Sequence, residues 1–534
     1  MQKKGQVTIF IIIRIMILTS IVLIIFFIGD VESNGENSPF GFMQGVLGTE
    51  YLDPPMFEFG PDGTYRKAED LGMKWHRGWI FIWSEIQQNP DKDEYVWNPH
   101  EHQLENIPED MNILASIYPS AIVAYGFVVG IPIERYWEYH KYGSYLPREE
   151  YIDTYIKFVK ALVERYDGDG IDDMPGLKKP IKYWQVENEV PKHFPAQNPI
   201  GYLGNYAEHL KITYTAIKEA DPEAKVVMGA QASRMGIDIE NNFDEHFVPI
   251  LDDLANYDEQ YFDIFDIHWY GKEDGNYRGI KKAYEHIKEK VDERGLTPPE
   301  GYWLGESGTY SGEPKPFLLS NGPLVEYPYQ TEKQHASELV KRYIYPISLG
   351  FKKIFWSQIK EGFINDELFW DFVGFVYDGN FEHDKGKGVK KLAYYTYKLM
   401  TDKLEGSDWD NVEKVIDGTE NIYAYKFVKK DTGKPVWVAW WDYFEEPNTI
   451  SKSISINVDE NINFVKITEA IPNAESGADL DEENYPNFFK TEIKSVDNGK
   501  VALNFGGSPI FIQSLDECED SICEEGENNE NCPE

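Results

Sequence analysis

Lys182-Tyr-Trp-Gln-Val-Glu-Asn-Glu-Val190 is an apolar run that ends abruptly in two carboxylates and an amide. Aromatic and β-branched residues at this density read as a buried strand. Side chains alternate along a strand, so Glu187 and Glu189 are expected on one face and Asn188 on the other, unless the strand ends there. Carboxylates crowded at a strand end lose hydration, a cost that only pairing or use offsets. Taken alone, the stretch is a strand entering a polar loop, and its surroundings must say more.

Outward from it, from Ser38 to about Gly406, short apolar strands alternate with amphipathic helices. The strands read Phe40–Val46, Met73–Trp79, Asn112–Tyr118, Lys182–Glu189, Lys225–Gln231, Phe262–Tyr270, Tyr302–Glu306 and Lys353–Gln358. The helix 149–166 carries Tyr151, Tyr155, Phe158, Leu162 and Tyr166 on one side at steps of three and four, as an amphipathic helix does. Others follow at 206–217, 246–255, 280–294, 332–348 and 389–404, with a bend expected at Pro346. Eight such units predict a parallel sheet closed into a (β/α)8 barrel, an α/β fold whose chemistry lies at the C-terminal strand ends. Those ends carry Arg77, Asn188, Glu189, Gln231, His268, Tyr270, Glu306 and Trp356. After about position 410, short strands such as 422–428, 435–441, 453–457 and 501–505 are separated by turns, which predicts a smaller antiparallel β-sandwich. The expected organisation is 1–36 anchor or signal segment, 37–406 barrel, 407–515 sandwich and 516–534 acidic tail.

The chain has 534 residues, 92 acidic and 52 basic, for a formal charge of −40. So acidic a surface repels nucleic acid. The three cysteines all follow position 517, so the main body offers no disulfide and no cysteine metal site. Thr8 to Ile28 is almost unbroken apolar sequence, long enough to span a bilayer as a helix. Lys3 and Lys4 precede it and Asp30-Val-Glu-Ser-Asn-Gly-Glu36 follows, which orients the N-terminus inward and the body outward. An uncleaved membrane anchor is expected, with secretion after cleavage as the alternative. Lys3-Lys4-Gly5-Gln6 resembles the start of archaeal pilin-type signal sequences, which implies processing near Gln6 with the apolar helix retained. The tail resembles a small acidic cysteine repeat of some archaeal exported proteins, which ends in a further cysteine where this chain has Glu534. The pairing of Cys518, Cys523 and Cys532 stays open. A disordered acidic tail is expected there, with calcium binding as the alternative.

Glu189 and Glu306 are far apart in the chain, yet barrel closure sets the ends of strands four and seven across one mouth. Paired carboxylates at about 5 Å suit double-displacement glycoside hydrolysis, in which one protonates the leaving oxygen and the other attacks the anomeric carbon. With Asn188-Glu189, His268-Trp-Tyr270, Gly305-Glu306-Ser307, Arg77 and Trp356 at the proper strand ends, the chain resembles the clan A retaining glycoside hydrolases over roughly Phe40 to Leu404. The family 5, family 39 and family 30 patterns all remain open. A family 5-like histidine is absent after strand three, where Tyr118 substitutes, and Val190 follows Glu189 where many relatives have proline.

The resemblance implies Glu189 as general acid/base and Glu306 as nucleophile. It implies Asn188 on the sugar 2-hydroxyl, and Arg77 and Tyr270 holding Glu306 ionised and aimed. His268 steadies the acid/base or touches the sugar, unless it is structural. Trp356 forms a sugar-stacking floor, unless it belongs to the core. Trp79, Trp83, Tyr118, Trp269 and Tyr310 are further candidates for sugar contacts, whereas Asp263 and Asp266 read as a structural pair. The expected partner is a β-linked polysaccharide or oligosaccharide, with no metal and no cofactor. A carbohydrate-binding protein on an inactive barrel is the alternative.

Overall fold

In the computed structural model, eight strands form the barrel: β1 (Phe40–Met43), β2 (Trp75–Ile82), β3 (Asn112–Tyr118), β4 (Tyr183–Glu189), β5 (Lys225–Gln231), β6 (Ile264–Tyr270), β7 (Tyr302–Gly308) and β8 (Ile354–Ser357). They pair in parallel, each with its neighbour in sequence, and β1 closes onto β8. The structure describes residues 35–43, 63–97, 101, 104, 107–119, 145–190, 205–232, 239–270, 276–318, 324–362, 367–442 and 451–515. The apolar run Thr8–Ile28, most of the segments after β1 and β3, and the cysteine tail lie outside them. Among the described residues no helix is long and apolar enough to cross a membrane.

The outer layer consists of α1 (Thr64–Asp70), α2 (Ile152–Tyr166), α3 (Tyr206–Ala220), α4 (Val248–Ala255), α5 (Gly279–Asp292), α6 (Glu332–Leu349) and α7 (Leu392–Leu404). The periodic stripe of α2 is buried at Tyr155, Phe158, Leu162 and Tyr166, and Tyr166 meets Phe81 of β2 at 5.1 Å between ring centroids. A capping box between Thr331 and Gln334 starts α6, which continues through Pro346 to a left-handed Gly350.

The barrel interior is layered. At the N-terminal strand ends Trp75, Tyr183, Trp303 and Phe355 interlock, with Trp75 4.8 Å from Tyr183 and 5.2 Å from Trp303. This aromatic plug closes the bottom and excludes water there. Above it the inward positions turn polar, at Arg77, Ser116, Gln185 and Asp266, all buried.

Beyond the barrel, β9 (Glu413–Asp417), β10 (Ile422–Val428), β11 (Pro435–Trp441), β13 (Phe464–Glu469), β14 (Thr491–Ser495) and β16 (Ile510–Ser514) form an antiparallel sheet in the order β9-β10-β11-β16-β13-β14. The β12 (Lys452–Asn457) and β15 (Lys500–Phe505) pair faces it. Ile456, Val501, Leu503 and Phe505 pack there on Trp437, Ala439 and Ile512, which makes a β-sandwich. Its other face rests on the barrel helices. The Tyr277 hydroxyl donates to Asp442 Oδ2 at 2.6 Å, Trp440 Nε1 donates to Tyr277 at 2.8 Å, and Lys341 Nζ lies 3.1 Å from Asp442 Oδ1.

Candidate active site

Two irregularities in the strands decide which side chains reach the mouth. In β4 the pairing with β5 shifts between Val186 and Glu189, and Glu187 takes a left-handed φ of 65°. A non-glycine residue held there costs about 1–3 kcal/mol. The consequence corrects the simple alternation: Glu187 is fully buried toward α3, 3.5 Å from His209 Nε2, while Asn188 and Glu189 both turn to the mouth. Burial alone pushes His209 down to about 3, so it faces Glu187 as a neutral ring. In β2 the register shifts between Arg77 and Trp79. Arg77 therefore points inward, and Trp79 is buried outward with Nε1 on the Tyr65 hydroxyl at 3.2 Å.

Arg77 organises the floor of the site. Its Nη1 donates to Glu306 Oε1 at 2.8 Å, its Nε to Gln185 Oε1 at 3.1 Å, and its Nη2 to Asn188 Oδ1. Burial works against its charge, but Glu306 and Asp266 more than offset that and raise the guanidinium above its ordinary range. The Tyr270 hydroxyl donates to Glu306 Oε2 at 2.9 Å and touches Ser357 Oγ. Glu306 is thus gripped on both oxygens. Glu189 is about one-third exposed, with Oε1 2.9 Å from His268 Nδ1. That same nitrogen lies 3.5 Å from Glu306 Oε2.

His268 is fully buried between carboxylates. Burial would push its imidazole down, but Glu306 and Asp266, with hydrogen-bond contacts to Asp266 and Glu189, push it up to about 9. It is therefore an imidazolium at neutral pH. Asp266 Oδ2 is 3.3 Å from His268 Nε2 and accepts from Gln185 Nε2 at 2.7 Å, while Oδ1 accepts from the Gly305 amide at 2.7 Å. A Cβ at Gly305 would stand 2.2 Å from Asp266 Oδ2, so only glycine allows this close approach immediately before Glu306. A continuous chain Arg77–Gln185–Asp266–His268 thus lies beneath the two glutamates. One donor atom each from Glu189, His268 and Glu306 falls within 4.8 Å of the others. A metal ion there would compete with the Arg77 guanidinium and with a protonated ring that has no free lone pair, so the trio is a poor fit to a cation.

The structure thus brings together Arg77, Asn188, Glu189, His268, Tyr270 and Glu306. Tyr118 is buried at the end of β3. Trp356 departs from expectation: it is fully buried, stacks on His335 at 5.7 Å and Phe375 at 5.3 Å, and donates from Nε1 to Val373 O. It faces the helices and forms no sugar floor; its neighbour Ser357 holds the inward position. Trp83 and Tyr310 are likewise buried, on Gln87 and on Pro328 O, and half-buried Trp269 packs against the main core. Asp263 caps Val226 N and pairs with Lys218, as a structural residue does. Sequence reasoning missed Gln185, the active-site setting of Asp266, and Trp370. Trp370 is half-buried, and its ring meets Tyr270 edge-on at 4.6 Å.

No family model and no curated relative matches the sequence. Among solved structures, the chain is similar to a family 39 glycoside hydrolase from Bacteroides cellulosilyticus WH2, at 15% identity, covering 91% of this chain and 82% of that one with TM-score 0.55. It is similar also to a glucosidase from Croceicoccus marinus, at 11% identity, covering 90% and 96% with TM-score 0.54. A third is a family 51 α-L-arabinofuranosidase from Bifidobacterium longum, at 10% identity, covering 89% and 95% with TM-score 0.50. At these identities what is shared is the fold, a barrel followed by a β-sandwich.

Proposed function

We propose that the protein is a retaining β-glycoside hydrolase that cleaves a β-linked polysaccharide or oligosaccharide by double displacement. The observation that carries this reading is the pair Glu189 and Glu306, with carboxylate oxygens within 4.8 Å in two different settings. Retaining enzymes hold their carboxyl groups about 5–5.5 Å apart, inverting ones about 6.5–9.5 Å. That the structural neighbours are glycosidases supports glycoside hydrolysis in general, without bearing on the β-linkage.

Glu306, fixed by Arg77 and Tyr270, attacks the anomeric carbon. Glu189, more open to solvent, gives its proton to the leaving oxygen and then takes one from the water that releases the sugar. Each charge in this exchange has a partner already in place, so little reorganisation accompanies the reaction. Asn188, oriented by Arg77, offers its amide to the 2-hydroxyl. The apolar run Thr8–Ile28 with its flanking charges supports a body held outside the membrane, or secreted if the run is removed.

Two variants test the assignment. Glu306→Gln and Glu189→Gln keep shape and should each lower kcat on the natural glycoside by on the order of a thousandfold or more while the fold persists. NMR of the first product from an aryl β-glycoside should show the β-anomer. An α-product, or a Glu306→Gln enzyme with near wild-type turnover, would refute the mechanism.

A further inference from the structure

Between β8 and α7 the chain forms a long loop that ends beside the mouth. Both of its ends are tied to Phe375–Val376 in its middle: the Glu361 amide donates to Val376 O at 2.9 Å and the Lys391 amide to Phe375 O at 2.8 Å. Glu361 and Lys391 thereby lie side by side, both buried. Around them the loop turns back at Asp378–Asp384, burying the side chains of Asp378 and Asp384 and leaving His383 half-buried.

One donor atom each from Glu361, His383 and Asp384 lies within 4.8 Å of the others. Glu361 Oε2, His383 Nε2 and Asp384 Oδ1 are all buried, and none has a hydrogen-bond partner. Glu361 is 4% exposed and the Asp384 side chain 2%. The remaining atoms of these groups are used. Asp384 Oδ2 accepts from Gly379 N at 2.8 Å, and Glu361 Oε1 accepts from Lys391 Nζ. That ammonium spends its other N–H bonds on Ser311 Oγ at 2.9 Å and Phe372 O at 3.1 Å, so it does not reach Oε2. The His383 ring is fixed in plane by stacking on Phe372 at 4.4 Å and Phe381 at 5.6 Å, with Nε2 3.1 Å from Asp384 Oδ1. Donors sharing a tetrahedral zinc ion at about 2.0–2.2 Å stand roughly 3.3 Å apart, and the His383–Asp384 pair already has that spacing. Asp378 is also buried beside Asp384. Three carboxyl groups thus crowd around a single ammonium, with His383 Nε2 facing the same space.

We propose that Glu361 Oε2, His383 Nε2 and Asp384 Oδ1 form a binding site for a divalent cation of the zinc class, which clamps the β8–α7 loop. An imidazole with two carboxylates favours zinc over calcium, whose ligands are all oxygen. The same loop carries Phe369 and Trp370 against Tyr270, so the cation sets the edge of the sugar-facing mouth without entering it. The inference stands apart from the hydrolase reading.

The test titrates the full chain, stripped by chelator, with zinc chloride, read by calorimetry and thermal unfolding. One strong site is expected, with Tm raised by roughly 3 °C at a hundredfold excess over Kd. His383→Ala and Asp384→Asn should each abolish the rise, and Glu189→Gln should keep it, which separates this site from the glutamate pair. X-ray absorption at the zinc edge of the wild-type protein should show one imidazole and oxygen donors. No zinc binding, a rise that survives in His383→Ala or Asp384→Asn, a zinc shell without imidazole, or a larger rise with calcium than with zinc would overturn the proposal.

Discussion

Tyr270→Phe removes one oxygen from the site and leaves its ring, which still packs edge-on against Phe369 at 5.7 Å and Trp370 at 4.6 Å. Two interactions go with that oxygen. The first is the hydrogen bond to Glu306 Oε2 at 2.9 Å. A hydrogen bond to a charged group is worth about 1.5–3 kcal/mol. If it is needed as Glu306 transfers charge to the sugar, kcat/KM falls about 10- to 150-fold. The second is the contact with Ser357 Oγ. Ser357 is fully buried, so a hydroxyl left without its acceptor lowers stability by about 1–3 kcal/mol. Adding Ser357→Ala removes the stranded hydroxyl. The double variant should therefore regain most of the lost stability in urea unfolding and none of the lost kcat/KM on an aryl β-glycoside. A single variant within threefold of wild-type activity would refute the role assigned to Tyr270. So would a double variant whose activity returns along with its stability, because the loss would then come from strain at β8.

Asp266→Asn should make His268 give up its proton at lower pH, since Asp266 is one of the three carboxylates that raise it to about 9. A raised imidazole stabilises the fold fully below its ordinary value of about 6.5 and loses that stability as pH rises through 9. The stability difference between wild type and His268→Gln should therefore shrink between those limits, and in Asp266→Asn both this loss and the alkaline limb of kcat/KM should begin earlier, with 13C-labelled histidine NMR following the ring itself. Trp356→Phe should lower stability by about 1–3 kcal/mol through the lost bond to Val373 O while leaving KM within twofold; Trp370→Ala should do the reverse, raising KM about tenfold with little change in Tm.

The barrel is legible in the sequence because its signal is repeated: eight apolar segments, most of them followed by an amphipathic helix, point to one closure. The glutamates, Arg77 and Tyr270 are legible because barrel closure brings strand ends together whatever the loops do. What escapes is local parity. Whether Trp356 or Ser357 faces inward depends on a one-residue register at the end of a four-residue strand, and side-chain period alone does not fix it. Glu187 escapes for a similar reason. A left-handed residue inside a strand leaves no mark on the sequence when it is not glycine.

Gln185 and Asp266 are a different matter, and they could have been found. Each is a polar residue flanked by aromatic and aliphatic neighbours, Tyr-Trp-Gln-Val and Ile-Phe-Asp-Ile, so each must be buried and must find a partner. Both face the barrel interior, and they find each other. Their link then explains the charge pattern above them. Arg77 and His268 are cationic; Asp266 and Glu306 match them. Glu189 shares the His268 cation, its Oε1 2.9 Å from the ring Nδ1. It is also the carboxyl open to solvent, where a proton can be taken up or released. A buried amide–carboxylate pair below the mouth thus leaves the two glutamates in unequal settings, which is what the double displacement proposed above needs.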